Sequence, residues 1–234
     1  LKPSELTPKT SEIIEKIISK VFIKKDVNVI EGGIEVSQKL LSERWDYIFF
    51  TGSIAVGKIV AKAAAENLTP VTLELGGKNP CVIDETANLK LAAKRIVWGK
   101  FMNAGQTCIA PDYILIQKDM KSHFVDYMKD EITKAYGENP KNSPDFARII
   151  NTKNWQRLVY MIDPKKVIFG GQAESNNCYI APTLIEENSL ESEIMKDEIF
   201  GPVLPILTYE RETEIDAIIS KYEKPLAFYI FSEN

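Results

Sequence analysis

Apolar residues first recur at helical spacing in Ile13, Ile14, Ile17, Ile18 and Val21, which predicts one face of an amphipathic helix. Thr7 followed by Pro8 supplies its N-cap and first helical residue. Val27-Asn28-Val29-Ile30 reads as a short strand broken by Gly32-Gly33. A second helix is predicted from Ile34 to Ser42, with Val36, Leu40 and Leu41 on one side. Tyr47-Ile48-Phe49-Phe50 is apolar throughout, the pattern of a parallel strand buried on both faces. Thr51-Gly52-Ser53 turns the chain into a helix from Ile54 to Asn67, and Val71 to Leu75 is the next strand. This alternation of strand and helix indicates a doubly wound α/β domain.

The pattern changes after Gly76-Gly77, and a domain boundary is placed there: residues 1–77 and residues 78–234. Asn79-Pro80 marks a turn, Cys81 to Ile83 a short strand. Asn88 caps a long helix reaching Asn103, whose apolar helical pattern is read as Leu91, Ala92, Arg95, Ile96, Trp98, Gly99 and Met102. A strand (Asp112 to Gln117) and a helix (Asp119 to Tyr136) follow. A polar stretch with Pro140 and Pro144 leads to a helix from Thr152 carrying Trp155, Leu158, Val159 and Ile162. Val167 to Phe169 is a strand before Gly170-Gly171. Tyr179 to Ile185 is a strand interrupted by Pro182, so an edge. Glu212 to Tyr222 is helical, and Ala227 to Phe231 closes the pattern.

Composition narrows the function classes. The chain has 234 residues, 44% hydrophobic, with a net charge of −4, as expected of a globular protein with a real core. There is no basic stripe for nucleic acid, and no apolar run of the ~18 residues needed to span a bilayer. Three cysteines argue for free thiols in a reducing, cytoplasmic compartment. One histidine, His123, and no Cys-x-x-Cys pair set metal binding aside. His123 reads as a surface residue, although spacing leaves a dyad with Cys108 open.

The candidate chemistry centres on Phe101-Met-Asn-Ala-Gly-Gln-Thr-Cys-Ile-Ala-Pro-Asp112. Cys108 stands in small and polar residues between a helix and a strand, where flanking N–H groups favour a thiolate nucleophile. Cys81 and Cys178 open apolar runs and read as packing residues. Upstream, Leu73-Glu74-Leu75-Gly76-Gly77-Lys78 sets a carboxylate on a strand. Its apolar neighbours predict partial desolvation of Glu74 and a pKa above about 4.3, suited to a general base. Gly52-Ser53-x-x-Val56-Gly57 joins a strand to a helix start and forms a candidate anion site, though it departs from Gly-x-Gly-x-x-Gly.

Together these motifs, with Lys2-Pro3-Ser4-Glu5 and Glu198-Ile199-Phe200-Gly201-Pro202, resemble the aldehyde dehydrogenase superfamily. Leu68-Thr69-Pro70-Val71-Thr72-Leu73-Glu74 and Ala110-Pro111-Asp112-Tyr113 resemble its class 3 branch, which acts on fatty and aromatic aldehydes. The resemblance implies a partial NAD-binding domain of parallel-sheet type followed by an α/β catalytic domain. It implies Cys108 as nucleophile and Glu74 as the base that activates water against a thioester. It carries cofactor contacts over to Lys2, Glu5, Gly52, Ser53, Gly57, Leu75, Glu198 and Phe200. Ala55 stands where many relatives have glycine. Glu5, as an acceptor for ribose hydroxyls, tilts the cofactor towards NAD, with NADP possible.

The same resemblance implies a small-molecule aldehyde as substrate and a homodimer for the full-length form. It makes this chain the central portion of a longer enzyme. The family's second oxyanion donor, an asparagine upstream of Lys-Pro-Ser-Glu, has no position here. Loss of such a donor costs about 2.7–4 kcal/mol in kcat, so these residues alone are expected to oxidise aldehydes poorly or not at all. Two other readings stand beside this one. The first is a catalytically silent remnant or nucleotide-binding fragment on the same scaffold. The second, an acyl-phosphate or acyl-CoA reductase, is disfavoured by Glu74, since acyl transfer to phosphate or CoA needs no water-activating base.

Overall fold

Helix α1 (Pro8–Val21) begins at its proline in the computed structural model, which describes residues 1–234. The Thr7 side chain makes no cap bond. Ser11 fastens this end instead, donating through Oγ to the Ser4 carbonyl at 3.0 Å. The chain divides into two compact units, Leu1–Leu75 and Gly76–Asn234.

The first unit continues with α2 (Ile34–Ser42), β1 (Ile48–Gly52), α3 (Ile54–Glu66) and β2 (Val71–Leu75). The two strands pair in parallel, from Ile48 opposite Val71 to Gly52 opposite Leu75. α3 packs on both strands and α2 on α3. Two expectations are corrected here. Val27 to Ile30 forms no strand: Leu1 donates to the Asn28 carbonyl and accepts from the Ile30 N–H, and one partner residue builds no ladder. β1 is not covered on both faces within this unit either. Ile48 and Phe50 are half-buried, whereas Phe49 is exposed. Side chains alternate along a strand, and two strands with one packed helix leave Phe49 uncovered. Ile13 and Ile17 of α1 are exposed in the same way.

The second unit holds β3 (Pro80–Ile83), α4 (Leu89–Phe101), β4 (Tyr113–Gln117), α5 (Lys121–Tyr136), α6 (Thr152–Met161) and β5 (Val167–Phe169). The short pair β6 (Ala173–Glu174) and β7 (Tyr179–Ile180) follows, then β8 (Thr183–Glu186), α7 (Glu193–Lys196), β9 (Val203–Tyr209), α8 (Thr213–Ile219) and β10 (Tyr229–Phe231). Its main sheet runs β10-β3-β4-β9-β8-β5. Every pairing is parallel except β5 with β8. Tyr113 to Ile116 of β4 are wholly buried, consistent with a central parallel strand.

Three further expectations are corrected. Pro182 does not mark an edge: it separates β7, which pairs with β6, from β8, which lies inside the sheet between β9 and β5. The missing N–H of proline therefore falls in a link and interrupts no ladder. The final predicted helix is shorter, ending at Ile219. On α4 the buried stripe is Leu89, Ala92, Ala93, Ile96, Val97, Lys100 and Phe101, while Leu91, Trp98 and Met102 are exposed. The α4 packing against α5 selects that stripe, which includes a lysine. Asn88 caps the helix as expected, accepting from the Leu91 N–H at 3.1 Å. No helix is long and apolar enough to cross a membrane.

A buried ion pair joins β3 to the rest of this unit. Lys78 Nζ donates to Asp112 at 2.6 Å and to the carbonyls of Ile194 and Asp197 at 3.0 Å each. Asp112 also accepts from the Ile199 N–H at 2.9 Å. Lys78→Met leaves Asp112 buried without its cation, so the expected loss is about 3–5 kcal/mol in urea denaturation. Adding Asp112→Asn, which keeps an acceptor for Ile199, is expected to recover part of it.

Candidate active site

The cysteine loop begins where α4 ends. Asn103, Ala104 and Gly105 all take positive φ, at 52°, 52° and 72°. Gly105 is required by space as well as by φ. A Cβ there would lie 2.2 Å from the Gly201 carbonyl oxygen. The Gly-Gln-x-Cys loop and the Glu-x-Phe-Gly-Pro segment therefore touch backbone to backbone, and the fold brings these two motifs together.

Gln106 locks the loop. Its amide donates to the Asn103 and Arg148 carbonyls at 3.0 Å each, and its oxygen accepts from the Ile150 N–H at 2.9 Å. Asn79 holds the far side, donating to the carbonyls of Cys108 at 2.8 Å and Ala110 at 3.0 Å. Its own oxygen accepts from the Ala227 N–H at 2.8 Å. Between these anchors Cys108 is exposed, whereas Cys81 is buried and Cys178 half-buried. Burial pushes the Cys81 thiol well up, so it is an inert packing residue. The Cys108 N–H donates to no acceptor in the protein. His123 lies elsewhere on the surface of this unit, beside Asn88, Leu89, Lys90 and Tyr127, and no dyad with Cys108 forms. No group of His, Cys, Asp or Glu side chains is arranged to hold a metal.

Glu198 is half-buried, and a Cβ on Gly76 would sit 2.2 Å from both of its carboxylate oxygens. Only glycine lets the carboxylate approach the backbone this closely. Burial raises its pKa from 4.5 to about 7, opposed by a hydrogen bond from the Gly77 backbone and by Lys100 and Arg157. Phe200, with φ 49°, is partly exposed beside it in sequence.

In the first unit Ser53 caps α3, accepting from the Val56 N–H at 3.4 Å. A Cβ on Gly57 would meet the Leu75 side chain at 2.7 Å, so Leu75 packs on the first turn of the helix. Gly52, Ser53, Gly57 and Leu75 thus cluster at one strand-to-helix turn. Lys2 Nζ lies 3.1 Å from Glu5 and also donates to the Pro3 and Gly32 carbonyls. Glu74, opposite Thr51 in the ladder, is exposed. The partial desolvation expected from Leu73 and Leu75 is not found, because those side chains alternate with it along the strand.

Two residues quoted within the motifs, Asn79 and Gln106, are given no role there, because their partners at Cys108, Ala110, Ala227, Arg148 and Ile150 are distant in sequence. Lys100 could have been suspected from its spacing to Ala92, Ala93, Ile96 and Val97. It is wholly buried, with no hydrogen-bond partner for Nζ.

Gly105→Ala is expected to cost at least about 1–3 kcal/mol from the left-handed backbone, with the carbonyl clash added, read as a lower urea midpoint. Glu198 binds its proton more tightly folded than unfolded. Its contribution to stability is therefore full below pH 4.5 and is lost as pH rises through about 7. Glu198→Gln should flatten that decline in a series of thermal melts.

The family model described as the aldehyde dehydrogenase family matches residues 1–234. The chain is 48% identical to the 4,4'-diaponeurosporen-aldehyde dehydrogenase of Staphylococcus aureus, covering all of this chain and 51% of that protein. It is 47% identical to aldehyde dehydrogenase family 3 member A2 of Macaca fascicularis, over all of this chain and 48% of that one. A crystal structure of a Mycobacterium tuberculosis aldehyde dehydrogenase complexed with NAD+ superposes with a TM-score of 0.89 at 31% identity. That superposition covers all of this chain and 51% of the other. The chain thus spans about half the length of the curated relatives it matches. Matched along every residue in both sequence and fold, it belongs to the aldehyde dehydrogenase family.

Proposed function

We propose that this chain carries the thiol and nucleotide-binding residues of an enzyme that oxidises an aldehyde to a carboxylic acid with NAD or NADP. The observation that carries the reading is the Cys108 loop: an exposed thiol with an unused N–H, held by Gln106 and Asn79. Cys108 attacks the carbonyl carbon, and its own N–H supports the oxygen as that atom becomes an alkoxide. After oxidation the acyl group remains on sulfur as a thioester. Glu74, assigned from its motif, takes a proton from water so that hydroxide attacks the thioester and Cys108 leaves as a thiolate.

The residues present suit a dinucleotide. The Ser53-capped start of α3 offers N–H groups to phosphate. Gly52, Gly57 and Leu75 shape that turn, and Lys2 and Glu5 would contact the adenosine ribose. Glu198 would accept from ribose hydroxyls and Phe200 would face the nicotinamide. The bound cofactor supplies the hydride acceptor. The Mycobacterium tuberculosis structure, held with NAD+, supports this choice.

The test uses the longer parent enzyme. Cys108→Ala should abolish NADH formation. Glu74→Gln should keep rapid formation of the acyl-enzyme and slow its hydrolysis about 100- to 10,000-fold, leaving a burst followed by a slow steady state. A Glu74→Gln variant that turns over at the wild-type rate would remove the base from the scheme. Iodoacetamide labelling should mark Cys108 ahead of Cys178 and Cys81. Even labelling of all three would count against a special nucleophile.

A further inference from the structure

Every backbone carbonyl from Gln106 to Ala110 is occupied. Gln106 accepts from the Asn103 side chain at 3.1 Å, and Thr107 from the Ala110 N–H at 3.1 Å. The Asn79 amide takes the carbonyls of Cys108 and Ala110. The carbonyl between those two, on Ile109, accepts from the Tyr229 hydroxyl at 2.5 Å. The N–H groups of Thr107, Cys108 and Ile109 donate to no acceptor in the protein. The negative ends of the turn's dipoles are thus committed, and its free positive ends lie beside the thiol.

Tyr229 reaches this turn from far along the chain. It stands on β10 opposite Cys81 of β3, two residues past Asn79. Side chains alternate along a strand, so Tyr229 and Phe231 are half-buried while Ile230 is exposed. Asn79 Oδ1 accepts from the Ala227 N–H, which ties the approach to β10 to the same loop. Burial and the nearby Cys81 and Cys108 sulfurs hold the Tyr229 pKa above its ordinary value. Its hydroxyl therefore remains a donor when Cys108 is a thiolate.

A trans peptide unit is planar, so its C=O and N–H point in opposite directions. The unit joining Ile109 to Ala110 is gripped at both ends, its carbonyl by Tyr229 and its N–H by the Thr107 carbonyl. That carbonyl belongs to the unit joining Thr107 to Cys108, whose other end is the free Cys108 N–H. Orientation passes from Tyr229 through two rigid units to that N–H. We propose that Tyr229 is a positioning residue that aims the Cys108 N–H at the oxygen of the bound aldehyde. This rests on the reading of Cys108 as a nucleophile that supplies its own oxyanion donor. Asn79 cannot take over, because its amide is spent on the two flanking carbonyls. Without the hydroxyl the Ile109 carbonyl is free to tilt, and the donor two units away loses its aim.

The experiment uses the longer parent enzyme, in which Tyr229→Phe removes the hydroxyl and keeps the ring. Two reactions of one sulfur are compared. Attack on an aldehyde builds an oxyanion and needs the N–H, whereas alkylation by iodoacetamide expels iodide and builds none. Single-turnover NADH formation should slow about 10- to 100-fold, less than the roughly 100- to 1,000-fold that follows loss of a whole donor of this kind. Alkylation of Cys108 should stay within about twofold of wild type, since it reads only the thiolate and its access. Replacing Tyr229 with 4-aminophenylalanine, which keeps a donor at that position, should restore most of the NADH rate. An unchanged rate in Tyr229→Phe would overturn the role of Tyr229 and leave Cys108 as nucleophile. NADH formation and alkylation falling together would also overturn it, because the sulfur rather than the N–H would then have moved. NADH formation that survives in Cys108→Ala would instead remove the nucleophile itself.

Discussion

Two consecutive buried side chains, Lys78 and Asn79, hold the thiol-bearing unit together. Lys78 gathers Asp112 and the carbonyls of Ile194 and Asp197. Asn79 gathers the carbonyls of Cys108 and Ala110 and the Ala227 N–H. Successive residues of an extended segment point to opposite sides, so one dipeptide can serve two loops at once. Both side chains are polar and nearly inaccessible, and every donor of each is matched. That satisfaction makes their burial tolerable and gives each bond a single geometry.

The setting of the Cys108 thiol follows from this constraint. Cys108 is exposed, yet its loop is held in place. The backbone is bent by left-handed residues from Asn103 to Gly105, closed by Gln106 and tied to Gly201 by contact. The strain at Asn103 and Ala104 is offset by these anchors. The same contact brings the segment with Glu198 and Phe200 against the cysteine loop, so two motifs far apart in sequence share one wall. Charge is concentrated behind that wall, where Lys78 pairs with Asp112 and Arg157 donates to the Glu198 and Ile199 carbonyls.

Local chemistry made much of this legible from the chain. Asn88 announced its helix, because a short polar side chain accepts the first free N–H groups, whereas Thr7 makes no such bond. β2 and α2 matched their predicted bounds, since apolar spacing and flanking glycines pointed the same way. The reading failed where a partner decided. Val27 to Ile30 had the composition of a strand but found only Leu1. Pro182 looked like an edge because a sequence does not say which strand a break will separate. On α4 the stripe is read through Leu91, Trp98 and Met102, whereas the one that packs towards α5 holds Lys100.

The sequence by itself determined the family, the order of the motifs and which cysteine lies in the Gly-Gln-x-Cys motif, because those reside in residue types at short spacing. Tertiary structure alone decided which side chains are buried and which carbonyls Asn79 and Gln106 reach. It also decided that Glu74 is exposed in this chain and that Lys100 is left without a partner. Those depend on what long-range packing places beside a residue, and neither hydrophobic periodicity nor motif spacing contains that distance.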